Sequence, residues 1–443
     1  MVMDNKLQNI LDMVSEYIED KHSKKRWTPN KDWVMYAGPY YSSDEYIRAT
    51  KTLLNEWLGL GEDALEFERK FPKYFGKEYG ILTNSGSSSN LIMMASMKSK
   101  RLYDFPEKTK VIVPVAGFPT TLNPIFQVGF EPLFVDIEID TLNLNLDQVE
   151  ERAKQGAKII TFAHTLANPP NMDRLMQIVD EYDLILLEDC CDALGTTYDK
   201  KPLGSFGQMA SCSFYPAHHI TMGEGGFVST KTHDQETVVR SFREWGRGCY
   251  CVGKKANLLK CGTCKKRFSS WLPSLPDEIF DHKYVYEEIG FNLKPTELQA
   301  SLGLVQLEKL DEIHTKRKEN YHNLFQTFSQ YEEYFHLPRA TEKAITSWFA
   351  FPLTIKDNSP FKRSEITNFL EDHKIQTRTY FAGNIMLQPA YSHLVDTNEI
   401  INDFPVARKV TTDTFFLGTS PVITKEQTDY IDSVVHKFMK EYK

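Results

Sequence analysis

Residues 158–190, KIITFAHTLANPPNMDRLMQIVDEYDLILLEDC, read as a short apolar strand (KIITFAH), a helix (MDRLMQIVDEYD) and a second apolar strand (LILLEDC). Two such strands joined by a helix form a βαβ unit, with the strands parallel and covered on both faces. The alternation extends in both directions. Upstream, YGILTN precedes a helical stretch from Ser88, VIVPVAG a short helix, and EPLFVDI the helix LDQVEERAK. Downstream, ASCSFY and GFVST read as strands before the helix QETVVRSFREWG. The pattern predicts an α/β protein on a mostly parallel sheet.

At the N-terminus, Leu7, Ile10, Leu11, Val14 and Ile18 fall at helical spacing, which predicts an amphipathic helical segment over 1–35. The large domain then runs over 36–330, with a Gly-, Pro- and Cys-containing insertion at 246–276 that breaks the alternation. One long helical run, LKPTELQASLGLVQLEKLDEIHTKRKENYHNLF, follows it. The tail reads strand (SWFAFPLTI), helix (RSEITNFLED), strand (QTRTYF) and a final helix from Lys425, a smaller α/β domain over 331–443.

With 52 Lys+Arg against 60 Asp+Glu, the chain carries a net charge of -8, which argues against a nucleic-acid or membrane-surface binder. No stretch approaches the ~18 apolar residues of a spanning helix, and the N-terminal residues lack the basic and apolar regions of a signal peptide. The expectation is a soluble, cytoplasmic protein.

Three strand ends carry polar residues where an α/β sheet binds its ligand. Asn84-Ser85-Gly86-Ser87-Ser88-Ser89 places a glycine and hydroxyls at a helix start, a cradle for phosphate. Read alone the signal is weak, because Ser-rich helix caps are common. Glu188-Asp189, with Asp192 three residues beyond, offers acids that either cap a loop or pair with a cationic heterocycle nitrogen. Ser213 through Gly226, SFYPAHHITMGEGG, has the glycine density of a backbone bent close to something.

Seven cysteines are too few for a disulfide scaffold in so long a chain. Cys190, Cys191 and Cys212 sit in apolar, strand-like sequence and read as packing residues. Cys249-x-Cys251, nine residues, then Cys261-x-x-Cys264 brings four thiolates into one loop, enough for a [2Fe–2S] cluster or Zn²⁺, and spacing alone does not separate the two. The loop carries Lys254, Lys255, Lys260, Lys265, Lys266 and Arg267, with no acid from Trp245 to Pro276. Those cations either offset the charge of a cluster or steer an acidic electron donor.

Together these segments resemble the sugar aminotransferase-like family of fold type I pyridoxal-phosphate enzymes, over nearly the whole chain from about Tyr36. Its members carry G-T near the first strand, E-D-x-x-Q/H on a later one, and S-F-H-P-x-K-x-I-T-x-G-E-G-G around the cofactor lysine. The counterparts are Gly86-Ser87, Glu188 to Asp192, and Ser213 to Gly226; FVDIEIDTLNLN, GFNLKPTELQASLGLVQLEKL and FPTTLNP also match. One position departs. His218 stands where the family has lysine, and an imidazole can move a proton but cannot form the Schiff base that holds pyridoxal. The same departure occurs in the iron–sulfur branch of the family, 3-dehydrases of CDP-linked 6-deoxy-4-hexuloses, to which SFYPAHHITMGEGG and WGRGC-x-C are especially similar.

The resemblance implies a noncovalent pyridoxamine 5′-phosphate with His218 as its proton-transfer group, and His219 is read as structural. It further implies Asp189 on the pyridinium nitrogen, Asp192 near the phenolic oxygen, Phe118 stacked on the ring, and Gly86, Ser87 and Ser213 on the phosphate. Asn292 would reach the phosphate of a neighbouring subunit, which makes the protein a homodimer. Cys249, Cys251, Cys261 and Cys264 would hold a [2Fe–2S] cluster fed by an NAD(P)H-dependent reductase. The activity implied is C3 deoxygenation of a CDP-4-keto-6-deoxy hexose, in 3,6-dideoxy sugar synthesis for surface polysaccharide. Two alternatives stand beside it: a redox-neutral 3-dehydratase with a Zn²⁺ site, and a non-enzymatic zinc-bearing interaction protein on an aminotransferase fold.

Overall fold

The structure, a computed structural model, describes residues 5–249, 267–394 and 396–442. Cys251, Cys261, Cys264 and the lysines between them lie outside the described residues.

The large sheet begins with β1 (Tyr79–Thr83), β2 (Lys110–Pro114), β3 (Glu131–Val135), β4 (Ile159–Ala163) and β5 (Ile185–Asp189). Two short strands, β6 (Thr197–Tyr198) and β7 (Lys201–Pro202), precede its last members, β8 (Met209–Ser213) and β9 (Gly226–Thr230). The order is β1-β9-β8-β5-β4-β2-β3. The β2–β3, β2–β4, β4–β5 and β5–β8 pairs are parallel, as the βαβ reading requires. Strand β9 alone runs against its neighbours β1 and β8. It returns directly from β8 through residues 214–225, and that hairpin sets Gly226 opposite both Thr83 and Ser213. The carboxyl ends of β1, β8, β5 and β4 therefore share one edge, where ligands bind in open α/β sheets.

Glycine is needed where these ends crowd. A Cβ on Gly86 would lie 2.4 Å from the Cβ of Ser213, and one on Gly226 would lie 2.2 Å from the carbonyl oxygen of Ser85. The bent backbone expected from the Gly-rich stretch is bent against the β1 turn.

Beyond the helix His233–Arg243, strands β10 (Phe268–Ser269) and β11 (Phe280–Asp281) pair. They hang on a stem in which residues 242–248 run beside 285–293. Hydrogen bonds from Gly248 N to the Val285 carbonyl (2.9 Å), Glu287 N to Gly246 (2.7 Å), Trp245 N to Phe291 (2.6 Å) and Leu293 N to Arg243 (3.1 Å) close it. Asn84 N donates to the Leu293 carbonyl (2.9 Å), so the stem's root touches the loop after β1. Arg267 pairs with Asp281 at 2.6 Å, which removes it from the unpaired basic run that the sequence suggests.

The remaining strands are β12 (Phe335–His336), β13 (Ala344–Ile345, paired with β6), β14 (Ala350–Ile355), β15 (Arg378–Thr379) and β16 (Thr414–Gly418). The small sheet has the order β12-β14-β16-β15. Its apolar cluster includes Phe328, Phe335, Phe351, Leu353 and Phe415, all fully buried.

The N-terminal helix forms over Asn5–Ser23 and buries Leu11 and Ile18, while Ile10 faces outward. The long run after Pro295 is not one helix. It divides into Glu297–Glu308 and Leu310–Ser329 at Lys309, whose ammonium is drawn 2.7 Å from the buried Glu45. Among the described residues no helix is long and apolar enough to cross a membrane.

Candidate active site

A cleft of about 590 Å³ opens at the shared carboxyl edge. The helix Gly86–Ser96 starts there, with Ser85 as its cap: the Ser85 side chain accepts from Ser88 N at 3.1 Å. Gly86 and Ser87 line the cleft in the first turn, where helix geometry leaves N–H groups without intrahelical acceptors. Ser213, at the end of β8, lines the same wall.

Asp189 ends β5. Strand alternation turns it to the cleft and sends Glu188 to the opposite face. Four donors fix its carboxylate: Asn90 Nδ2 (2.7 Å), Thr121 Oγ1 (2.8 Å), Cys191 N (3.1 Å) and Ser211 Oγ (3.3 Å). A buried carboxylate so aimed is suited to hold one proton of a cationic ring. Glu188 is structural, accepting from Gly207 N (2.6 Å) and Gly204 N (2.9 Å) and meeting His164 Nε2 at 2.9 Å. Burial pushes its carboxyl up, but His164 and Lys77 outweigh that and hold it below the usual range.

His218 lies in the tight turn after β8, where its N–H donates to the Tyr215 carbonyl at 2.9 Å. Its Nδ1 is 3.5 Å from Asp192 Oδ1, and its ring centroid is 5.4 Å from that of Phe349. The second Asp192 oxygen accepts from Leu166 N at 3.2 Å. With Nδ1 turned to the carboxylate, Nε2 is the nitrogen free to take a proton. His219 points away, its Nε2 2.6 Å from the Ser347 carbonyl. Burial, with Arg317 and His314 nearby, keeps its pKa well below the usual histidine range, so it is a neutral packing residue as expected.

Phe118 stands at the rim, half exposed, with its ring edge-on to Phe381 at 5.8 Å. Asn292 is not brought into this cleft. Its Oδ1 accepts from Lys294 Nζ at 2.6 Å beside the stem.

Cys190 and Cys212 are buried, but Cys191 corrects the expectation of quiet packing: it lines the cleft behind Gly86. Burial, and then the neighbouring Asp189, push its thiol well above the usual cysteine range, so it stays protonated. Cys249 is buried. The sequence reading missed Tyr36, Glu224, Arg378 and Phe381, which also line the cleft. The Arg378 guanidinium sits 4.6 Å over the Tyr36 ring, a pairing across 342 positions that no local motif announces.

Similarity to known proteins agrees with this architecture. Lipopolysaccharide biosynthesis protein RfbH of Salmonella typhimurium is 39% identical over 99% of both chains. The dTDP-4-dehydro-2,6-dideoxy-D-glucose 3-dehydratase of Saccharopolyspora spinosa is 36% identical over 99% of this chain and 93% of its own. Among solved structures, E. coli GDP-4-keto-6-deoxy-D-mannose-3-dehydratase with bound hydrated PLP superposes with a TM-score of 0.76 at 26% identity, covering 90% of this chain and 98% of its own. That likeness makes the fold that of the type I pyridoxal-phosphate enzymes. The family model matches residues 40–437, and the chain belongs to the DegT/DnrJ/EryC1/StrS aminotransferase family.

Proposed function

We propose that the chain is a pyridoxamine-phosphate-dependent 3-dehydrase of a nucleotide-linked 4-keto-6-deoxy hexose, with CDP as the carrier. The observation that carries this is His218 in place of the family lysine, set beside Asp192 in an otherwise complete cleft. Relatives named as 3-dehydratases support C3 as the site of elimination.

The residues fit the cofactor. The Gly86–Ser213 contact is a cradle that a Cβ would fill, Asp189 is aimed into the cleft, and Phe118 offers a ring face at the rim. Bound there, the cofactor supplies an amine for the C4 ketone and a ring that makes its own methylene C–H acidic. His218 Nε2 accepts that proton. Asp192 steadies the imidazolium through Nδ1, and Nε2 can return the proton to the departing C3 hydroxyl. Asp189 keeps a proton on the ring nitrogen. Asn292, exposed on the chain, completes the phosphate site of a second copy in a homodimer.

Cys249, Cys251, Cys261 and Cys264 form an all-thiolate donor set that suits a [2Fe–2S] cluster, which would supply electrons singly from an NAD(P)H-linked flavoprotein. The redox-neutral alternative replaces that cluster with Zn²⁺ and dispenses with the reductase.

Protein purified without oxygen is expected to absorb in the visible and to contain about two iron and two sulfide ions per chain, the cluster's stoichiometry. It should turn over a CDP-linked 4-keto-6-deoxy hexose in preference to its GDP and dTDP counterparts, and only with pyridoxamine phosphate. A colourless zinc protein overturns the cluster. Equal turnover of all three carriers overturns the CDP assignment. Retention of turnover in His218→Asn, where loss of the base should cost ~10²–10⁴ in rate, overturns the dehydrase reading.

A further inference from the structure

Behind His218 lies an arginine with no carboxylate at ion-pair distance among the described residues. Arg317, on the helix Leu310–Ser329, is 1% exposed. Its guanidinium is spent on three main-chain oxygens. Nη2 donates to the carbonyls of Ala217 (3.1 Å) and His218 (3.0 Å), and Nη1 to that of Phe349 (3.0 Å). The His218 N–H is already given to Tyr215, so both backbone polar groups of His218 are tied, and the two peptides that bracket it are held. Phe349, whose carbonyl takes the third bond, also supplies the ring beside the His218 imidazole.

A buried charge without a counter-ion is costly, and a neutral side chain could pack here more cheaply. Burial lowers Arg317 to about 9, opposed by Asp192, which leaves it charged at neutral pH. The other titratable or charged groups about His218 are its neighbours Tyr215 and His219, with Tyr36, Asp189, Glu224 and Arg378 around the cleft.

We propose that Arg317 is the positioning residue of His218: its guanidinium fixes the two peptides that flank the base and so holds the imidazole where it can accept a proton. This rests on the reading of His218 as the base.

The test uses full-length protein with pyridoxamine phosphate. Arg317→Met removes the clamp, and Arg317→Lys keeps a charge but cannot span three carbonyls. Turnover of CDP-4-keto-6-deoxyglucose should fall roughly 10²-fold in kcat in both variants, the scale of a misplaced catalytic group, with KM little changed. Methylguanidinium at tens of millimolar should restore part of the Met variant's rate. Parental kcat in Arg317→Lys, or a loss confined to KM, overturns the proposal. If Arg317→Met does not fold, the Lys variant decides alone. Turnover surviving in His218→Asn defeats the dehydrase reading instead.

Discussion

At the scale of the residue, the proposed chemistry turns on one substitution of imidazole for amine. His218→Lys should regain a nucleophile able to bond pyridoxal phosphate covalently, giving a borohydride-reducible adduct and losing the proposed C3 deoxygenation. Binding of pyridoxal phosphate with no reducible link would show that position 218 does not face the cofactor carbonyl. That His218 and Asp189 line the cleft was legible because each is embedded in a run whose neighbours announce it: a Gly-rich bend for one, an apolar strand for the other. Tyr36 and Arg378 were not, since their pairing is made by the folded chain alone. Cys191 was misread for a related reason. Its apolar context matches that of Cys190, and only the turn after β5 decides which of two adjacent thiols meets the cleft.

At the scale of the element, the βαβ alternation gave the parallel core, because strands buried on both faces are near-continuously apolar. The antiparallel β9 did not show, since one short apolar run reads alike in either direction. Strand β16 was passed over although it is central in the small sheet. TFFLG is only five residues, and it directly follows the helix Pro405–Asp413 without a turn signal. The division at Lys309 was equally hidden; the ion pair made at that point is with Glu45, 264 positions away. The start of the helix Gly86–Ser96 bears a direct test. In Gly86→Ala the new methyl meets β8 itself, not a flexible side-chain tip, so strand and helix start must part. Overpacking of this kind costs about 1–3 kcal/mol, and a widened cradle should weaken pyridoxamine-phosphate binding at least tenfold by fluorescence titration, an order-of-magnitude figure on the same scale. Parental Tm and affinity would mean that the phosphate contacts lie elsewhere.

At the scale of the whole molecule, the residues that line the cleft come from both ends of the chain, Tyr36 before the large sheet and Phe416 within the small one. The cysteine-bearing segment is attached differently. Its two ends leave the body side by side, joined by the bond from Gly248 N to the Val285 carbonyl, and Arg101 and Ser99 hold the stem through Glu287 (3.5 Å) and Glu288 (2.5 Å). A chain organised this way has a ready splice point. Replacing residues 249–284 by a two-residue turn should leave a folded protein that still binds pyridoxamine phosphate near parental affinity, measured by calorimetry and titration. Loss of binding would show that the segment props the cradle through Leu293 and Asn84. If binding persists, the cysteine-bearing segment is a detachable cartridge, and the cofactor-binding body can be studied, or fitted with another segment, without it.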